Sequence, residues 1–221
     1  MNGVINVGKN KGRFCSKILR LKDYLSGVSI ARQQINYLKP RFVEECDGDI
    51  LEIGGIDNFF KVNYKKGKFV NYDIVPSAVI DIVGDAENMV DVPDESFSAV
   101  ICISVIEHTL NHEKMLNEIN RVLKKNGRFY ISVPWMYQLH MEPKDYLRFS
   151  DCYMLKLFEK TGFVVDAKFA SNSFCGTAAH FLQGNVSLRY TFGLLFATIE
   201  LFSVSSFIHC TQVNYYLSKK D

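Results

Sequence analysis

The sequence predicts a doubly wound α/β fold built on a mostly parallel seven-stranded sheet with helices on both faces, and three observations carry that prediction. Short apolar runs alternate with segments of helical periodicity between residues 49 and 169. Some of these runs are apolar on both faces, as strands covered by helices on each side must be. Their ends are punctuated by glycines and acids, where an open α/β sheet holds its ligand.

Composition sets the frame. The 221 residues, 48% hydrophobic and 23% charged, suffice for one domain with a full core and exclude disordered, collagen-like and coiled-coil architectures. A formal charge of +2 gives no argument for nucleic acid as a partner. The six cysteines form no CxxC pair and no metal-ligand spacing with histidine, so no metal is expected and a reduced, cytoplasmic protein is. No signal peptide is expected from the polar, Lys-containing beginning.

The elements follow in order. A helical segment within residues 1–47 carries Ile30, Ile35 and Leu38 and is expected to stop at Pro40. The first strand, 49–53, runs into Gly54-Gly55; the second is 69–74, the third 79–83, and the fourth 99–103. Met115, Leu116, Ile119, Val122 and Leu123 make one stripe of a helix expected to close at Lys124, Lys125 and Gly127, the last as a left-handed cap. His112, at its front, is expected on the surface. Residues 129–133 form the fifth strand. Ser150 caps a helix that buries Leu155 and Phe158 and ends at Gly162, and 163–169 form the sixth strand. Residues 213–217 form the last, and the cysteines are expected in the core.

Residues 192–210 are apolar apart from Thr198, Glu200, some serines and His209. Leu194, Leu195, Leu201, Phe202 and Ile208 fall on one helical stripe. Glu200 near the middle argues against a bilayer span. A helical insertion between strands six and seven is expected, covering a substrate site, joining a homodimer partner or resting on a membrane as a peripheral contact.

The strand tips carry Glu52, Gly54 and Gly55, then Asp73, then Asp85, Ala86 and Glu87, then Ser104, Val105, Glu107 and His108. A phosphate site needs donors and positive charge, which these tips lack. Carboxylates suit ribose hydroxyls and an adenine amino group.

On Ile50-Leu51-Glu52-Ile53-Gly54-Gly55, Tyr72-Asp73-Ile74, Gly84-Asp85-Ala86-Glu87, the run from Phe97 to His108 and the helix and strand from Glu118 to Pro134, the chain resembles the class I S-adenosylmethionine-dependent methyltransferases of the broad type 11 and 12 group. The resemblance implies a Rossmann-like core over 48–175, an insertion over 176–212 and a closing strand over 213–221. It implies S-adenosyl-L-methionine as cofactor, with S-adenosyl-L-homocysteine as product. Glu52 and Gly54, with Gly55, would face the methionine end; Asp73, beside Ile74, would bind the ribose; Asp85 and Ala86 would meet the adenine; Ser104 and Val105 would close the floor. One departure stands out: the family's turn usually reads Glu-x-Gly-x-Gly-x-Gly, whereas Ile56 and Asn58 occupy the places of the later glycines.

The stretch His140-Met141-Glu142-Pro143-Lys144-Asp145-Tyr146-Leu147-Arg148-Phe149-Ser150 resembles a His-x-x-Pro-x-Asp-Tyr-x-Arg-Phe-Thr signature of a subset linked to surface-polysaccharide biosynthesis. It implies a small-molecule or glycan acceptor, with His140 and Asp145 as candidate catalytic bases and Tyr146 and Arg148, with His108, on the substrate side. Arg148 is equally suited to bracing the loop through Asp145 or Asp151. The competing readings are a non-catalytic binding module that uses residues 192–210, and a nicotinamide oxidoreductase, against which the missing Gly-x-Gly-x-x-Gly counts.

Overall fold

The computed structural model describes residues 21–55, 58–141, 144–202 and 210–220. Its elements are α1 (Ile30–Glu44), β1 (Ile50–Ile53), α2 (Phe59–Asn63), β2 (Phe69–Asp73), β3 (Ile82–Val83), β4 (Phe97–Ile103), α3 (His112–Val122), β5 (Leu123–Pro134), α4 (Asp151–Lys160), β6 (Phe163–Ala170), α5 (Phe174–Leu182), α6 (Leu194–Glu200) and β7 (Gln212–Lys219). The seven strands lie in the order β3-β2-β1-β4-β5-β7-β6. All pairings are parallel except those of β7, which runs antiparallel between β5 and β6. The expected doubly wound sheet is therefore present.

Side-chain alternation along the strands separates two cores. Leu51, Val100, Cys102, Phe129, Ile131 and Tyr215 pack with the stripe of α3 and with Met154, Leu157 and Phe158 of α4. Their strand neighbours Ile50, Ala99, Ile101, Tyr130 and Tyr216 pack against Leu38, Phe42 and Val43 of α1. Ile53 pairs with Tyr72 on one side and Cys102 on the other, so β1, β2 and β4 end level and their tips open at one edge. Strand order reverses between β1 and β4, which makes that edge the natural cleft.

Several boundaries differ from the sequence reading. α1 does not stop at Pro40 but runs through it to Glu44. An interior proline removes one helical hydrogen bond, yet burial of Phe42 and Val43 on the sheet holds the last turn, and Arg41 Nη1 donates to the Tyr37 carbonyl at 2.9 Å. β3 shrinks to two residues because Asp81 replaces a ladder bond, its carboxylate accepting from the Asn71 N–H at 2.9 Å. α3 ends at Val122, since Leu123 turns extended and pairs at once with Phe97. Asn126, at φ 58, takes the left-handed position expected of Gly127. Gly127 is needed for space: a Cβ there would sit 2.8 Å from the Lys124 carbonyl oxygen.

Ser150 caps α4 as expected, accepting from the Tyr153 N–H, but Met154 and Leu157 are buried with Phe158 while Leu155 is only half-buried. His112 is not a free surface residue; Nε2 meets the Tyr153 hydroxyl at 2.7 Å and the ring lies edge-on to Phe149. Cys46, Cys102 and Cys210 are buried, Cys152 is exposed and Cys175 is half-buried; Cys15 lies outside the described residues.

The insertion between β6 and β7 is helical but broken. α5 is followed by a short turn at Val186–Leu188, a π-helical turn at Arg189–Gly193 and then α6. The apolar stripe read from the sequence is not the buried one: Gly193, Ala197 and Glu200 face inward, while Phe192, Leu195, Ile199 and Phe202 are exposed. Ile208 and the rest of 203–209 lie outside the described residues. Among the described residues no helix is long and apolar enough to cross a membrane.

Candidate active site

Backbone geometry at the strand tips opens a cavity of about 600 Å³. Gly54, after β1, has φ +74, and any Cβ there would collide with Val105 Cγ2, so the β1 and β4 tips approach as closely as they do only with glycine. Ser104, directly after β4, is itself left-handed at φ 54. Its backbone N–H donates to the Ser132 carbonyl at 3.0 Å, and its hydroxyl meets Gln212 Nε2 of β7 at 2.7 Å, which over-determines a strained residue at the floor of the cleft.

Asp73 and Asp85 stand on opposite sides of the β2–β3 edge and are prepared in the same way. Asp73 Oδ1 accepts from the Val75 N–H at 2.8 Å and Asp85 Oδ1 from the Glu87 N–H at 2.9 Å. Each carboxylate braces its own loop with one oxygen; among the described residues the other takes no protein hydrogen bond. Tyr72 spans the gap between them, its hydroxyl donating to the Asp85 carbonyl at 3.1 Å, and fills the space that a side chain at Gly84 would need. Glu87 turns away to cap the next segment, accepting from the N–H groups of Leu110 and Asn111 at 2.9 Å each. Those bonds hold its carboxyl below the usual range, although its partial burial works in the other direction and is the largest single influence.

Of the residues expected to contact the cofactor, the cavity gathers Gly54, Asp73, Ile74, Asp85, Ala86, Ser104 and Val105, with His108 and Tyr146 of the substrate-side set. Tyr72, Thr109 and Leu110 also line it and were not singled out in the sequence. Tyr72 was legible in principle, as the last inward residue of β2. Among the described residues no lysine or arginine lines the cavity.

Glu52 and Gly55 are placed differently. Glu52 is buried, meets Lys39 Nζ at 2.6 Å and lies on a smaller cavity of about 290 Å³ that shares Gly54 with the first. Gly55 is buried against Glu52, whose Cγ would lie 2.8 Å from an added Cβ. Ile56 lies outside the described residues, and Asn58 precedes α2 without a side-chain cap.

Over residues 5–131, more than half its length, the sequence matches the family described as Methyltransferase domain. The chain belongs to that family.

A protein of Methanocaldococcus jannaschii is 38% identical to this methyltransferase domain over 74 residues, which are 33% of this chain; the match spans only 32% of that relative's length. Phosphoethanolamine N-methyltransferase 2 of Haemonchus contortus, solved in complex with S-adenosyl-L-methionine, superposes with a TM-score of 0.54 at 17% identity, covering 85% of this chain and 52% of that one. The [4+2]-cyclase SpnF superposes with a TM-score of 0.57 at 13% identity, covering 95% and 94%. At such identities the two structures establish the shared fold.

The loop that follows β5 in the methyltransferase domain is strapped across the β4 tip. The Tyr146 N–H donates to the Glu107 carbonyl at 2.9 Å, and His108 Nδ1 meets the Lys144 carbonyl at 2.6 Å. Arg148 is the brace, not a free anion receptor. Its five N–H groups are taken by Asp145, through Nη1 and through Nη2 at 2.6 Å, and by the carbonyls of Tyr137, Gln138 and Leu147. Asp145 is correspondingly spent. The Arg148 guanidinium holds its carboxyl down at about 2, despite an opposing influence of burial, and Asp145 Oδ2 also accepts from the His140 N–H at 3.0 Å. A carboxylate so stabilised is a poor proton acceptor, and its contacts brace the loop.

His140 and Arg148 do not line the large cavity. His140 stands behind His108, with ring centroids 4.9 Å apart. Its Nε2 is 3.6 Å from Glu107 Oε1. The Glu107 carboxylate pushes the His140 pKa up, against the downward influence of burial. Glu107 is fully buried. It lies beneath both imidazoles, with His108 Nε2 3.9 Å from Oε1.

Proposed function

We propose that this chain is an S-adenosylmethionine-dependent methyltransferase that methylates a hydroxyl of a sugar, glycan-linked or other small-molecule acceptor. The observation that supports the cofactor best is the cleft itself: two carboxylates on adjoining strand tips, a glycine floor and apolar walls, with no cation for a phosphate among the described residues. Its volume of about 600 Å³ suits a ligand of that size. Asp73 and Asp85 offer acceptors for ribose hydroxyls and the adenine amine, while Ile74, Ala86, Val105 and Leu110 provide apolar surface for the base. Similarity to a methyltransferase solved with S-adenosyl-L-methionine agrees with this reading.

The cofactor, when bound, supplies a methyl group already activated on a sulfonium. The chain's task is then to orient the acceptor in line and exclude water. Gly54, Ser104 and Val105 form the rigid floor; Tyr146 and His108 sit on the acceptor side of the cleft. As the methyl–sulfur bond breaks and the methyl–oxygen bond forms, the hydroxyl proton leaves where Glu107, His108 and His140 converge. The glycan assignment rests on the His140 to Ser150 signature. The exposed Phe192, Leu195, Ile199 and Phe202 of the insertion suit an apolar acceptor moiety, a second copy or a peripheral membrane contact.

Calorimetry of the full chain with S-adenosyl-L-homocysteine tests the cofactor, and methyl transfer to fractionated glycans tests the acceptor. Binding of neither S-adenosyl-L-homocysteine nor S-adenosyl-L-methionine would overturn the proposal.

A further inference from the structure

The convergence of Glu107, His108 and His140 has a chemical peculiarity. Glu107 is 0% exposed, and among the described residues neither of its carboxylate oxygens has a hydrogen-bond partner. A buried carboxylate without one is unfavourable, because it has given up its hydration and gained no donor in exchange. The groups that face Oε1 are two imidazole nitrogens, His140 Nε2 at 3.6 Å and His108 Nε2 at 3.9 Å.

Hydrogen bonding on the far side of each ring fixes what those nitrogens carry. His108 Nδ1 lies 2.6 Å from the Lys144 carbonyl, which can only accept, so Nδ1 bears the proton. His140 Nδ1 faces Asp145 Oδ2 at 3.2 Å and the Gln138 carbonyl at 3.4 Å, again acceptors only. In the neutral rings both Nε2 atoms are therefore lone pairs aimed at a carboxylate. With both rings neutral, three lone-pair donors converge on one point, an arrangement that a proton on His140 or a bound cation relieves.

We propose that these three side chains form a binding site for one divalent transition-metal ion at the junction of the cofactor cleft and the acceptor loop. The donor atoms lie within 4.8 Å of one another. Metal–ligand bonds of ~2.1 Å meeting at a tetrahedral angle would set donors ~3.4 Å apart; the two spacings to Glu107, 3.6 and 3.9 Å, are close to that, and the two imidazole nitrogens, within 4.8 Å of each other, would have to approach by no more than a side-chain rotation. The supporting shell is already built. Metal-bound histidines as a rule donate their second N–H to a carboxylate or a backbone carbonyl, which is the arrangement at His140 and His108 respectively. Arg148 anchors Asp145, and through it the His140 ring. Two imidazoles and one carboxylate select Zn²⁺, Mn²⁺, Co²⁺ or Fe²⁺ over Mg²⁺, and three protein ligands leave open positions. His108 also lines the cofactor cleft, which puts the open side toward the acceptor.

The inference rests on the methyltransferase reading for its purpose. An acceptor hydroxyl bound to the ion would be acidified, so its proton could pass to solvent without a histidine base. It rests on geometry alone for its existence, and the test separates the two. The full chain is stripped with a chelator and titrated with Co²⁺, followed by visible absorption, and with Zn²⁺ and Mg²⁺ by calorimetry. The expected result is about one Co²⁺ per chain with visible ligand-field bands, displaced by Zn²⁺, and much weaker Mg²⁺ binding. His140→Ala, at a half-buried residue, is expected to weaken Co²⁺ binding at least ~10-fold, and Glu107→Gln likewise, while Asp85→Asn leaves it unchanged. Absence of Co²⁺ bands in the folded wild-type chain, or unaltered binding in His140→Ala, overturns the site. A parallel titration of the stripped chain with S-adenosyl-L-homocysteine keeps the outcomes apart: binding there without Co²⁺ binding removes the metal and leaves the methyltransferase reading, and Co²⁺ binding without it does the reverse.

Discussion

The carboxylate of Glu200, at the end of α6, is buried against the first turn of α5, where it accepts from the Ser173 N–H at 3.0 Å, the Gly176 N–H at 2.8 Å and the Ser173 hydroxyl. The charge that interrupts the apolar 192–210 stretch is thus the cap of the neighbouring helix, and it locks the two halves of the insertion together. Gly176 is glycine because a Cβ there would press on Glu200. Removing the carboxylate leaves buried donors unsatisfied. Glu200→Ala is expected to lower stability by about 3 kcal/mol, while Glu200→Gln, which keeps one acceptor oxygen, is expected to lose roughly 1 kcal/mol. Urea unfolding of the two variants checks the order; equal losses would show that the acceptor role is not what matters.

The Asp145–Arg148 pair predicts an acid limb of stability. Asp145 has its pKa lowered from 3.8 to about 2 in the folded chain, so the folded state binds its proton less tightly than the unfolded state does. Its contribution is fully present above about pH 4 and is lost as pH falls toward 2, on the order of 1–2 kcal/mol. Thermal melts of wild type and Asp145→Asn should therefore differ at pH 6 and converge near pH 2. Curves that stay parallel down to pH 2 would contradict the assignment.

Lys39 and Glu52 form a buried pair at 2.6 Å, with Lys39 Nζ also 4.7 Å from the Phe60 ring centroid. Breaking such a pair from one side costs more than removing both partners. Lys39→Ala should destabilise by about 3–5 kcal/mol by removing the cation beside the buried Glu52 carboxylate, and Lys39→Met with Glu52→Gln should recover much of that loss. A double-mutant cycle in denaturant measures it. A cycle with no coupling would mean that Glu52 is stabilised by something other than Lys39.

The sheet was legible because its strands are continuous apolar runs with turn residues at their ends, and the order of tips led directly to Gly54, Asp73, Asp85 and Ser104. What was not legible depended on contacts distant in sequence. Pro40 could continue a helix only because Phe42 and Val43 had a sheet to pack on. Arg148 reads equally well as an anion receptor or a brace until the carbonyls of Tyr137 and Gln138 are seen to take its remaining donors. Glu107 and His140 are 33 residues apart and meet only because the loop after β5 folds back over the β4 tip. The 192–202 segment was legible as helical, but which of its faces the fold buries was not, since periodicity locates a face without saying what it faces.

Asp73 and Asp85 give the most direct test of the cleft. Each uses Oδ1 to hold its own loop, and an amide keeps that acceptor while removing the charge. Asp73→Asn and Asp85→Asn should therefore leave the melting temperature within a degree or two of wild type, a stability change below about 0.5 kcal/mol. Their effect should fall on the ligand. A hydrogen bond to a charged acceptor contributes about 1.5–3 kcal/mol, so losing the charge opposite a ribose hydroxyl should weaken S-adenosyl-L-homocysteine roughly 10- to 100-fold at Asp73. At Asp85 the partner is a neutral amine and an amide oxygen still accepts, so a loss of only several-fold is expected. Gly54→Ala supplies the steric control: at φ +74 and against Val105 the added methyl must displace the floor, and binding should fall with stability. Calorimetric affinities that are unchanged in Asp73→Asn would remove the ribose from that end of the cleft.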